Sequence, residues 1–386
     1  MTQFLPPIRL VGAEVLRDGQ MQRRSVAIAD GVITKGPLPE VNLRGYLILP
    51  GIIDLAAQPL RVGMSKPEDA LRGLDRAAAS HGVTTLWSAQ DWSWAGGNAA
   101  PRVAMQVARA MAAQRGRTGT DLRMRMLCDV HMIDTLEQVL ETVRAERVDQ
   151  VIFKDGLTPL LAQSELRQEE ICRQAALNGT SPGAHLEALR ALAKRQRDVP
   201  RFLCQLAEAF DRRGVIYGSL GDPDGETREM YSMIGAKLCL QPRIRAAAAL
   251  ARAVGDPVVL AARDVAQKPS GVIGLCALSA IKAGQCTALA SDGGLDALAA
   301  AAFTVAERGG LGLPAAWDLI SKAPAEIMRL PDRGVIDYGR RADLVVVDAA
   351  TRRVEATIAA GRLTYLTGEA ANRFRGAPAA LDHAAE

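Results

Sequence analysis

"LPGIIDLAAQPL", residues 49–60, is the stretch on which the reading of the fold turns. A Pro50-Gly51 turn delivers the chain into "GIIDLAA", a short run that is apolar at nearly every position. A strand that is apolar on both faces is buried on both, the habit of parallel sheets rather than of antiparallel sheets with one wet face. In a closed parallel barrel the end of such a strand borders the functional site.

Seven more runs of this kind follow: "VTTLWSAQ", "LRMRMLCDV", "DQVIFKD", "GVIYGSLG", "AKLCLQP", "PVVLAARD" and "QCTALASD". Polar turns and amphipathic stretches such as "DALRGLDRAAASHG" and "TREMYSMIG" separate them. Eight strands alternating with helices predict an α/β protein, a (β/α)8 TIM-like barrel over 51–332, with an open doubly wound sheet as the competing arrangement. Residues 160–213 are charged and helical by pattern, broken at Asn178-Gly179 and Ser181-Pro182-Gly183, and read as a helical insertion. Short strands lie on either side: "IRLVGAEVL", "RRSVAIADGVITKG" and "GYLILPG" before the barrel, "GVIDYG", "ADLVVVDA" and "RRVEATIAAGRLTYLTG" after it. Asp30-Gly31 between two apolar runs is a hairpin signal. Both termini are therefore expected to build one small composite β-domain, from 1–50 and 333–367, with 368–386 a fraying tail.

Composition narrows the function classes. With 386 residues, 48% hydrophobic and 23% charged, the chain can fill a large core. The net charge of +4 is small, and no basic run interleaved with aromatics occurs, which argues against nucleic-acid binding. The six cysteines (128, 172, 204, 239, 276 and 286) form no CxxC pair and read as reduced, mostly buried thiols. No basic segment followed by an apolar one opens the chain, and no stretch approaches a membrane span; a cytoplasmic location is the expectation.

"GYLILPGIIDL" and "APAEIMRLPDRGVIDYGRRADLVVVD" are similar to the entry into, and the exit from, the barrel of the amidohydrolase superfamily. Four further stretches, "LRMRMLCDV", "VIFKDGLTP", "LCLQPRIRAAAALARAVGDPVVLAA" and "ALASDG", resemble its phosphonate-pathway triphosphate diphosphatases and occur in the expected order. The resemblance implies hydrolysis by a metal-bound water, with a carboxylate on the last strand accepting its proton. It also implies His and carboxylate ligands at several strand tips. At those positions the chain departs from the pattern. Ala56 and Gln58 stand for the first-strand ligand pair, Asp155-Gly156 for an Asp-His, Leu220-Gly221-Asp222 for a His-Asp-Asp, and Pro269 for a His. Asp292 in "ASDGG" alone matches the catalytic carboxylate.

Few residues remain to carry chemistry. Of four histidines, His81 sits at a helix-to-strand turn, and His185 and His383 fall in stretches expected to be solvated; His131, directly after the third strand, can face the barrel mouth. Lys154 ends the fourth strand, where many amidohydrolases carry a carboxylated lysine; pairing with Asp155 or Asp222 is the plainer expectation. Asp292 is the candidate general base, with Lys154, His131 and Asp222 assisting. Asp155, Asp222 and Asp292 are the weak candidates for a divalent metal held by oxygen alone, a cofactor the missing imidazoles disfavour. Lys154, Arg243, Arg263 and Lys268, with Arg61, form a cationic rim suited to a small phosphorylated molecule. No Walker sequence or GxSxG elbow is present, and a homo-oligomer is left open. Two readings stand: a hydrolase with an atypical site around Asp292, or a non-catalytic descendant that binds an anion or a protein.

Overall fold

The computed structural model describes residues 4–60, 67–266 and 275–376. All eight expected runs are strands of one parallel sheet: Ile52–Ala57, Val83–Trp92, Asp121–Asp129, Gln150–Lys154, Ile216–Leu220, Leu238–Leu240, Val258–Ala261 and Ala288–Ala290, hydrogen-bonded in chain order. The sheet curls until its ends meet, with Asp292 N–H donating to Ala56 O at 3.1 Å. A barrel, not an open sheet, is the result.

Side-chain alternation sorts the strands into two cores. Leu86, Met124, Met126, Phe153 and Leu260 point outward and pack with the helices. Ile53, Leu55, Trp87, Ala89, Leu127, Ile152, Leu240 and Ala290 point inward, over Ala325 and Met328 at the N-terminal end of the barrel. Because the period along a strand is two, Arg125 and Asp129 share the inward face of Leu127. In register, Arg125 lies beside Ala89 and Gln150, Leu127 beside Asp91 and Ile152, and Asp129 beside Lys154.

Both termini contribute the remaining sheets. One has six strands, in the order Arg362–Leu366, Val354–Ala359, Leu344–Asp348, Tyr46–Pro50, Glu14–Arg17 and Gln20–Arg23; the other has four. Tyr46–Pro50 pairs antiparallel with Leu344–Asp348, so the strand that leads into the barrel lies beside the one that leaves it. Asp30 (φ 51°) and Gly31 (φ 80°) make the expected hairpin turn between Val26–Ala29 and Val32–Thr34. Both central residues need a positive φ there, and Asp and Gly tolerate it best.

Three expectations need correction. Helix Val199–Asp211, placed by its charge within the 160–213 insertion, packs Phe202, Leu203, Leu206 and Phe210 into the outer barrel core. Helices Leu157–Ala162, Gln168–Leu177 and Pro182–Ala193 instead share a small core of Leu157, Leu160, Ile171 and Leu189. His185 is buried in that group, its Nε2 3.3 Å from Gln174 Oε1, rather than solvated. Residues 368–375 do not fray: they form helix Gly368–Arg375, held where Ala370 N–H donates to Glu355 Oε2 (2.9 Å) and Arg373 lies over the Tyr46 ring. Among the described residues no helix is long and apolar enough to cross a membrane. His383 lies outside the described residues.

Candidate functional site

The C-terminal strand tips form a mouth in which nearly every charge has a neighbour of opposite sign. The first tip carries buried Ala56, whose N–H donates to Asp54 Oδ1 (3.0 Å). Asp54 also accepts from Ser291 N–H (3.0 Å) and Ser291 Oγ (2.5 Å), which stitches the first strand to the eighth. Full burial pushes its carboxyl above the usual range, against the pull of these donors.

Lys154 pairs with Asp91 at the tip of the second strand, not with Asp155 or Asp222. The ladder explains this: Leu127 lies beside Asp91 and Asp129 beside Lys154, so Asp91 and Lys154 approach from strands on either side of the third. Asp292 follows the eighth strand at φ 41° and pairs with Arg263 at 2.8 Å. Asp129, wholly buried, accepts from His131 N–H (3.0 Å) and Gly156 N–H (3.1 Å). His131 is also buried, with Nε2 2.7 Å from Gln196 Oε1 and Nδ1 3.4 Å from Asp129 and 3.8 Å from Asp155. Burial opposes its charged form, but bonding to Asp129 and Gln196 outweighs this and raises its pKa.

Asp222, expected to assist at the mouth, is turned away. Gly221 (φ 75°) folds the chain back, and the carboxylate lies 2.8 Å from Ser219 Oγ and 3.2 Å from the fully buried Arg228. Burial raises the Asp222 pKa despite Arg228. Asp155 accepts from Thr158 N–H (2.9 Å) in the first turn of the helix that follows. Asp155, Asp222 and Asp292 therefore do not converge as oxygen ligands. Among the described residues no three of His, Cys, Asp and Glu are placed to hold a metal ion. Arg243 is exposed beside Gly221, and Lys268, Arg61 and Pro269 lie outside the described residues.

Arg125 went unread in the sequence. It is 4% exposed, points into the barrel, and among the described residues its Nε and Nη1 have no hydrogen-bond partner. Burial lowers its pKa to about 10, against the opposing pull of Asp54, Asp292 and Asp91. Asp54 lies within the first strand, and Asp292 and Asp91 at the tips of the eighth and second. Each already has its own partner: Ser291, Arg263 or Lys154. Among the described residues the arrangement is a buried cation whose Nε and Nη1 lack an acceptor, beneath a mouth of neutralised pairs.

No protein-family model matches the chain. It is 25% identical over 354 residues to the α-D-ribose 1-methylphosphonate 5-triphosphate diphosphatase of Escherichia coli K12, covering 88% of this chain and 93% of that one. In structure it is similar to the N-acetyl-D-glucosamine-6-phosphate deacetylase of Mycobacterium smegmatis, with TM-score 0.63 and 16% identity over 92% of this chain and 99% of that one. The dihydropyrimidinase of Brevibacillus agri gives a TM-score of 0.61 and 16% identity, over 95% and 97%.

Proposed function

We propose that the chain is a member of the amidohydrolase superfamily that works without the family's metal, as a receptor for a small phosphorylated molecule held at the barrel mouth. The observation that carries this reading is Arg125, a fully buried guanidinium whose Nε and Nη1 have no acceptor among the described residues. A charge in that position is tolerated when a partner arrives with the ligand; otherwise its desolvation is uncompensated.

The donor set supports the same reading. A divalent ion in this fold draws imidazole and carboxylate ligands from several tips at once. Here those tips offer Ala56, Gln58, Gly156 and Leu220, and the carboxylates at Asp91 and Asp292 face Lys154 and Arg263. These residues do not fit the metal, so no catalytic step is drawn through one. The E. coli relative is named for a triphosphate substrate, which favours phosphate oxygens as the group that Arg125, Lys154 and Arg263 receive.

A second reading, hydrolysis around Asp292, draws on its place directly after the eighth strand, with a left-handed backbone (φ 41°) that turns it at the mouth. Elemental analysis separates the two. The receptor reading expects no stoichiometric metal and a rise in melting temperature with pyrophosphate, phosphonates or nucleotides. Near-stoichiometric zinc, manganese or iron together with hydrolytic turnover would overturn it.

A further inference from the structure

The opposite end of the barrel holds a second concentration of guanidinium groups. Arg115, Arg123, Arg147, Arg341 and Arg362 line a cavity of about 540 Å³ together with Asp121 and Asp149. Its walls come from three separate parts of the chain. Arg115 follows helix Pro101–Gln114, and Arg147 precedes the fourth barrel strand, Gln150–Lys154. Arg341 and Arg362 come from the terminal sheets, just before Leu344–Asp348 and at the start of Arg362–Leu366. Asp121 lies at the cavity and Asp129 at the mouth, so the sites stand apart by the third strand, about 26 Å at roughly 3.3 Å per residue.

Five guanidiniums against two carboxylates leave an excess of three positive charges (5 − 2) among the lining residues. Both carboxylates are already engaged. Asp121 accepts from Arg123 and Arg333, each at 2.9 Å, with Arg341 at 3.7 Å. Asp149 accepts from Arg123 at 2.6 Å and from Trp87 Nε1 at 2.8 Å. The other three guanidiniums have no acidic partner among the described residues. Arg115 reaches only the carbonyls of Glu146 and Arg147, at 3.5 and 3.4 Å. Among the described residues Arg147 makes no ion pair, and Arg362 lies over the Phe4 ring with its Nε buried and without an acceptor. Like charges brought together from three segments repel, and a multivalent anion between them converts that repulsion into attraction. The volume suits a small ligand, and the concave shape, without stacked aromatics, does not suit a nucleic-acid strand.

We propose that this cavity is a second anion site, distinct from the mouth, which takes a pyrophosphate or a phosphate ester bearing several anionic oxygens between Arg115, Arg147 and Arg362. Such a site lets a phosphorylated metabolite act on the protein without entering the barrel mouth.

The test is isothermal titration of the full chain with inorganic pyrophosphate. The parent is compared with the triple variant Arg115→Ala, Arg147→Ala, Arg362→Met and, separately, with Arg125→Met. Arg115 and Arg147 are exposed, and methionine keeps the Arg362 stem on Phe4, so the triple variant should fold as the parent does. In the Arg125→Met background, where the mouth does not contribute, the same three substitutions should weaken binding by about tenfold or more. It should persist in Arg125→Met, whether or not the mouth takes an anion. Equal affinity in Arg125→Met with and without the three substitutions, no binding to the parent, or binding abolished by Arg125→Met alone would overturn the proposal. Should Arg125→Met not fold, the double variant Lys154→Met, Arg263→Met replaces it, with the same two outcomes.

Discussion

Replacing Arg125 with methionine tests the mouth directly, and it should stabilise the protein while removing its ligand. Methionine retains most of the apolar stem and deletes the charge. The guanidinium is fully buried, and burial lowers its pKa to about 10. At about 1.4 kcal/mol for each tenfold change in proton affinity, this places an order-of-magnitude penalty of about 3 kcal/mol on the charged form in the folded state. The sign follows from linkage. A cation whose folded pKa is depressed destabilises the fold at every pH below that value, and the penalty fades as pH rises above about 10 toward the ordinary arginine value. At pH 7 the Arg125→Met protein should therefore unfold at a higher denaturant midpoint than the parent, by about 1–3 kcal/mol after repacking losses. Adding pyrophosphate at about a hundred times its dissociation constant should raise the parent by about 2.7 kcal/mol and close most of that gap. Chemical denaturation with and without the anion, followed by circular dichroism, measures both effects. A variant less stable than the parent by more than about 1 kcal/mol would refute the reasoning, because the guanidinium would then be making favourable bonds in the free protein.

Two other substitutions probe the surroundings. Arg228→Met strands Asp222 and Asp256, which lie 3.2 and 3.3 Å from its guanidinium in a fully buried cluster, and should cost about 3–5 kcal/mol by denaturant titration; a loss below about 1 kcal/mol would show the cluster to be weakly coupled. His131→Gln should reduce stability more at pH 5.5 than at pH 9. The folded pKa is raised, so the stabilisation is complete below the ordinary histidine value and is lost as pH rises through the folded one; a pH-independent difference between parent and variant would contradict the bonding to Asp129 and Gln196.

Much of the barrel was legible because burial on both faces leaves a local signature. Each of the eight strands occurs where an apolar run between polar turns predicted it. The residues at their tips were less legible. Arg123 and Arg125 alternate with Met124 and Met126 in "LRMRMLCDV", a pattern that does not say which face is the inside of the barrel. Asp91 extends a strand that reads as finished at Gln90, and its partner Lys154 stands 63 residues away. Asp222 looked like a mouth residue because it follows a strand tip, but the turn at Gly221 and the distant Arg228 reversed its direction.

The amino-acid order by itself determined the eight parallel strands, the sheets drawn from both ends, and the absence of histidine from the first strand tip, since these depend on hydrophobic period and residue identity alone. Closure of the sheet decided the rest: which strand face became the interior, and which charge met which. Ion pairing acts over a few ångströms, and nothing local in the chain records which distant segments closure will bring within that range.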